Sequence, residues 1–262
     1  MIKFAGIAPH PPVLIPAIGK DNIGQLQKTA NAFTELEDDL MNAGVDTLLI
    51  ISPHGLVREN FYTINSNPEF LINFEAFGDF ATKLNLKGDI VAPAQIKEAL
   101  QTEVPLKLIS DPLLDHGCGV PLYLLLNKRL KNIKIIPLYY SLLDRESHFD
   151  FGRRLKKILQ ATDKNFGIIA SGDLSHRLTI NAPAGYSPKG AKFDQKLIEL
   201  IKTKKTKEIL GMSEELIEEA VECGLRSILI LLGVLDGVEY TPEVLSYEGS
   251  FGVGYAVVNF KF

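Results

Sequence analysis

Asp46-Thr47-Leu48-Leu49-Ile50-Ile51-Ser52-Pro53-His54-Gly55 is an apolar run that stops at a proline, a histidine and a glycine. A stretch apolar at every position, rather than at alternate ones, is the pattern of a strand covered on both faces, as in a sheet lying between two helical layers. Proline at 53 keeps Ser52 extended and stops a helix from starting there. The strand therefore ends by presenting His54 on a short, constrained turn.

The same grammar recurs on either side. Ile2 to Ala8 reads as a strand ending at Pro9-His10-Pro11-Pro12, and Phe166 to Ala170 as one ending at Ser171-Gly172-Asp173-Leu174-Ser175-His176. Lys134 to Tyr140 is a further strand, and Asn60 to Asn65 and Ile72 to Ala76 read as antiparallel ones. Between them, Ile23, Leu26, Ala30, Phe33, Leu36 and Leu40 have helical spacing in a segment from Ile23 to Ala43 that Gly44 stops. Helices are also expected from Pro93 to Leu100, from Pro121 to Lys131 after a loop at Asp111 to Gly119, and from an Asp144 cap to Gln160. In the last third, Ser213 caps a helix containing Leu216, Ile217, Ala220 and Val221. Gly224 interrupts it, an apolar helix runs from Ile228 to Leu235, and Val244 to Tyr247 pairs with Gly252 to Phe260. This alternation predicts one α/β domain over residues 1–262, a three-layer fold whose central mixed β-sheet is flanked by helices.

Composition narrows the function. The 262 residues are 46% hydrophobic and 23% charged, enough to bury a large core. A formal net charge of −4 and no basic stripe argue against nucleic acid as a partner. The densest positive run, Lys202-Thr203-Lys204-Lys205-Thr206-Lys207, reads as a solvated helix end. Two cysteines, Cys118 and Cys223, and no leader-like start predict a reducing, cytoplasmic setting. The longest apolar run, Ile228 to Leu232, is too short to span a membrane.

Chemistry concentrates in the histidines. Of the five, His10, His54 and His176 follow strands and His116 sits in the loop Asp115-His116-Gly117-Cys118-Gly119. Ligands of open α/β sheets bind beyond the carboxyl ends of the strands, so all four can converge on one rim. Neutral imidazole is the commonest metal ligand, and proline and glycine hold it on a specific backbone. His148, inside an expected helix, is left out. A metal site also calls for an anion. Glu222, in Val221-Glu222-Cys223-Gly224-Leu225-Arg226, is the best local candidate, with Asp173, Asp115 and Glu248 as rivals. On spacing alone, a surface pair of Glu222 with Arg226 at i,i+4 is the favoured reading of that glutamate. The cysteines read as small buried hydrophobes, since they form no C-x-x-C pair.

Taken together, Pro9-His10-Pro11-Pro12, Ser52-Pro53-His54-Gly55, Asp115-His116-Gly117, Gly172-Asp173-Leu174-Ser175-His176 and Glu222-Cys223-Gly224-Leu225 resemble the class III extradiol ring-cleavage dioxygenases, the LigB family with its Memo-like branch. The resemblance covers nearly the whole chain in the family's order. It implies Fe(II), with Zn or another divalent metal as the alternative, held by His10, His54 and Glu222. It also implies His176 as acid/base and His116 as a second active-site histidine orienting substrate or O₂. The implied partners are a small aromatic diol and O₂, a second copy of the chain in a homodimer, and an AMMECR-type protein. The Memo-like branch carries cysteine at the third ligand position, and Cys223 directly follows Glu222. That leaves a metal-binding protein without oxygenase activity, or a zinc hydrolase, as the other expectations.

Overall fold

The computed structural model describes residues 1–126 and 133–262. In chain order it opens with β1 (Ile2–Ala8), α1 (Pro16–Gly19), α2 (Gln27–Asn42), β2 (Thr47–Ser52), β3 (Tyr62–Asn65), β4 (Glu69–Phe74) and β5 (Asp79–Lys87). Next come α3 (Val91–Leu100), β6 (Leu106–Ile109), α4 (His116–Leu126), β7 (Lys134–Tyr139), α5 (Arg145–Gln160) and β8 (Phe166–Ser171). The chain closes with α6 (Pro188–Lys202), α7 (Thr206–Leu210), α8 (Glu214–Ala220), α9 (Leu225–Val234), β9 (Thr241–Glu248) and β10 (Tyr255–Lys261).

Eight of the described strands form one sheet in the order β6-β3-β7-β2-β8-β1-β10-β9. The central four, β7, β2, β8 and β1, run parallel, so their carboxyl ends share one edge. β3 is antiparallel to β7, and β10 to both β1 and β9, which makes the sheet mixed as expected. β4 and β5 pair with each other as a separate hairpin, and Leu71 of β4 also bridges to Leu113.

The three layers follow from the side-chain alternation of a strand. In β2, Leu49 and Ile51 belong to the core shared with Ile96 of α3, Leu155 of α5, Leu197 of α6 and Ile230 of α9. Leu48 and Ile50 belong to the opposite core, with Leu36 of α2, Leu122 of α4 and Phe70 and Phe74 of the β4–β5 hairpin. All six residues of β2 are buried, which is why the run is apolar throughout. Each such Leu or Ile contributes about 1.5–3 kcal/mol on burial.

Several expected boundaries move. The helix expected from Ile23 begins at Gln27, after a 3-10 turn over Lys20–Leu26. The strand expected at Ile72 to Ala76 is Glu69–Phe74, and β5 and β6 have no counterpart in the expected set. Pro121 does not open a helix: α4 starts at His116 and Pro121 lies inside it. Asp115 starts the helix instead. Its Oδ1 accepts from the Cys118 N–H at 3.1 Å and its carbonyl from the Gly119 N–H at 2.7 Å. The expected extension of this helix to Lys131 falls, from 127 onward, outside the described residues. Val221 is not inside its helix either. It ends α8 in the left-handed region (φ 51) and is exposed, so the chain reverses before Glu222.

Candidate metal centre

The carboxyl edge of the four parallel strands gathers the chemistry. His10, two residues beyond β1, is buried. Its N–H donates to Asp173 Oδ1 at 2.9 Å, which fastens the turn after β1 to the turn after β8. The Nδ1 of its ring lies 2.9 Å from Ser171 Oγ, and its Nε2 lies 2.9 Å from Nε2 of His54. His54 follows β2 and faces outward on one side, with its N–H directed to Ser52 Oγ at 3.3 Å. The Ser52 hydroxyl donates to Asp115 Oδ1 at 2.6 Å, so one carboxylate ties the His54 turn to the start of α4. His116, the first residue of α4, stacks on His54 with ring centroids 4.3 Å apart and an 18° interplanar angle.

His10, His54 and His116 each offer a ring nitrogen within 4.8 Å of the others. Burial, first of all, depresses the basicity of all three. His10 falls well below the usual imidazole range, His54 falls to about 3 with further repulsion from His10 and His116, and His116 falls as well. They are neutral at pH 7 and need shed no proton to take a metal. This donor set fits a first-row divalent ion.

The remaining expected residues come from the turn after β8 and the turn before α9. The Nδ1 of His176 lies 3.1 Å from the Leu174 carbonyl, to which it donates, so its Nε2 keeps a free lone pair. His176 stands close enough to act electrostatically on His10 and His54, but it lies outside the close trio. Cys223 Sγ is 3.7 Å from His10 Nε2 and accepts from the Asp173 N–H at 3.3 Å. Burial pushes its thiol pKa up. Glu222 lies outside the histidine trio as well. It is not a fully solvated surface residue: its carboxylate accepts the Leu225 N–H at 2.6 Å, capping α9, and burial raises its pKa to about 7. Asp173, also buried, is raised to about 6. The two turns touch backbone to backbone. A Cβ on Gly172 would sit 2.1 Å from the Gly224 Cα, so only glycine permits that approach. His148 is buried in α5, with Nδ1 2.7 Å from the Asp144 carbonyl.

Sequence reading missed the supporting residues. Ser171 and Ser52 carry no signal beyond ending strands. Phe77, at the tip of the β4–β5 hairpin, meets the His116 ring edge to face at 5.3 Å, a contact between residues far apart in sequence that no local pattern announces.

The depressed basicity of His54 has a consequence for the metal-free protein. Unfolded, the ring titrates near 6.5; folded, it titrates near 3. Between these values the unfolded chain binds more protons, so the stability associated with a neutral His54 is present above pH 6.5 and is lost as pH falls toward 3. The raised carboxyls of Glu222 and Asp173 act in the opposite sense, and a comparison of variants cancels them. The melting-temperature advantage of wild type over His54→Asn, measured without metal, is expected to shrink from pH 7.5 to pH 5.5. An advantage that grows on acidification would refute the assignment.

The chain belongs to the family of the catalytic LigB subunit of aromatic ring-opening dioxygenase, whose pattern it matches over residues 5–258. It is 32% identical over 265 residues to Protein CA_C1420 of Clostridium acetobutylicum; the match covers 97% of this chain and 56% of that protein, so the chain spans a little over half its length. It is 25% identical over 272 residues to 3,4-dihydroxyphenylacetate 2,3-dioxygenase of Escherichia coli, with 94% of each covered. Among solved structures, the uncharacterized protein JW3007 from Escherichia coli K12 superimposes with a TM-score of 0.69 at 16% identity over 98% of this chain and 99% of that one, which supports the fold. No helix among the described residues is long and apolar enough to cross a membrane.

Proposed function

We propose that this chain is a non-haem Fe(II)-dependent extradiol dioxygenase that opens a catechol-like aromatic diol with O₂. The observation that carries this reading is the convergence of three neutral histidines on one rim of a ring-opening dioxygenase fold. His10 and His54 are two of the ligands. Glu222 is the third in this reading, and His116, stacked on His54, then orients the diol or O₂. His176 accepts a catechol proton at its free Nε2. When bound, Fe(II) would supply electron relay between the diol and O₂. In the overall reaction the ring C–C bond next to the diol breaks and both oxygen atoms enter the product, so no outside reductant is needed.

The test is anaerobic loading with Fe(II), followed by 3,4-dihydroxyphenylacetate and a panel of other catechols with O₂. A yellow ring-opened product is expected, with iron lost in Glu222→Ala and kept in Cys223→Ala. Absence of product across the panel, with iron confirmed by elemental mass spectrometry, would overturn the reading. The 3.7 Å approach of Cys223 Sγ to His10 Nε2 favours a second reading, a Memo-like metal protein without oxygenase activity. Metal lost in Cys223→Ala and kept in Glu222→Ala is its signature. A zinc hydrolase on the same residues would show activity restored by Zn(II) and not by Fe(II).

A further inference from the structure

Pro121 is the sixth residue of α4, a position where proline is normally excluded. It has no N–H, so the carbonyl four residues earlier, that of Gly117, lacks its helical partner. The missing bond is replaced from another element. The Ser171 hydroxyl, at the end of β8, donates to the Gly117 carbonyl at 2.5 Å. That leaves the Ser171 oxygen with lone pairs only, and Nδ1 of His10 lies 2.9 Å from it. An oxygen whose single proton is already engaged can only accept. His10 must therefore carry its proton on Nδ1 and turn the lone pair of Nε2 toward His54.

We propose that Ser171 is a positioning residue that fixes the tautomer of His10, and that Pro121 fixes Ser171 by freeing the Gly117 carbonyl. The chain Pro121, Gly117, Ser171, His10 joins α4, β8 and the turn after β1, three elements with no sequence proximity. All of it is buried: Gly117, Pro121, Ser171 and the His10 ring lie in the interior. Outer partners of this kind orient a ligating histidine and raise its basicity, and their loss costs roughly 10–100-fold in metal affinity. The inference rests on His10 being a metal ligand and is independent of which reaction the centre performs.

The tautomer is read in the metal-free protein from the ¹⁵N shifts of the histidine rings, and affinity is read with Zn(II) against a chromophoric chelator. Wild type is expected to show His10 protonated at Nδ1. Ser171→Ala is expected to mix the two tautomers and weaken Zn(II) binding about 10–100-fold, while Ser171→Thr retains both properties. Ser171→Ala also orphans the Gly117 carbonyl and lowers the melting temperature. The double variant Ser171→Ala, Pro121→Ala gives that carbonyl a helical N–H again. It is expected to recover stability and not to recover affinity. Recovery of affinity together with stability would show that Ser171 is merely structural and overturn the proposal. So would a wild-type His10 protonated at Nε2, or a Ser171→Ala variant with unchanged tautomer. A changed tautomer with unchanged Zn(II) affinity would overturn His10 as a ligand, and the proposal with it. Loss of ring cleavage alone, with tautomer and affinity as expected, bears on the reaction and leaves this inference standing.

Discussion

His10→Ala loses its metal: protein purified without oxygen falls from about one equivalent of metal per chain to a small fraction of that, a loss of affinity well beyond the roughly 10–100-fold expected for an outer partner. The expectation follows from position. Of the three clustered rings, His10 is the buried one, and its Nε2 faces both His54 Nε2 at 2.9 Å and Cys223 Sγ at 3.7 Å. Every reading of the third ligand therefore still requires His10. The fold survives, because the bond that fastens the two turns comes from the main-chain N–H of residue 10 to Asp173, and alanine retains it. The Ser171 hydroxyl also keeps its acceptor on Gly117. Elemental mass spectrometry and circular dichroism decide the matter. Full metal occupancy in a folded His10→Ala protein would remove the centre from this rim. Loss of soluble protein would make the histidine a structural group.

His176→Ala keeps the metal and loses turnover. General acid/base groups of this kind contribute about 10²–10⁴-fold, so kcat is expected to fall by that order once an active diol is in hand. Its main-chain N–H bonds to the Ala220 carbonyl at 3.0 Å, a contact alanine also makes, so the backbone around residue 176 stays in place. The Nδ1 of the ring donates to the Leu174 carbonyl, which leaves Nε2 for substrate. Retention of turnover with metal bound would refute the acid/base role.

The sheet was largely legible because its central strands are buried on both faces and carry an uninterrupted apolar signal: β2, β7 and β8 are buried at nearly every position. The hairpin was not. In β5 the large apolar Phe80 points to solvent and the alternation is confined to Lys83 to Lys87, too short a stretch to mark the whole strand. β6 is four residues long at the sheet edge, below what a pattern can mark. Pro121 misled because proline is most at home at the first position of a helix, whereas here a tertiary hydroxyl compensates for it in the interior. The four histidines were legible as a set because strand ends are where such sheets bind. Convergence on one rim was expected from them, but the contact that secures it was not, since His10 and Asp173 meet where β1 and β8 lie side by side. Glu222 shows the limit most clearly: spacing offered an Arg226 surface pair or a ligand, and gave no sign that its carboxylate accepts the Leu225 N–H at the start of the helix that follows.

Strand order also dictates when the centre can exist. β1 is made well before β8 and β10, the two strands it lies between, so Gly6 waits for Asn259 and Ile2 for Phe166. Contacts so distant along the chain form late and slowly. During synthesis His54 and His116 can be near their final places while His10 hangs on an unpaired strand. The centre is thus completed only after β8 has been made and has paired with β1, and loading it with metal follows that long-range pairing rather than local folding.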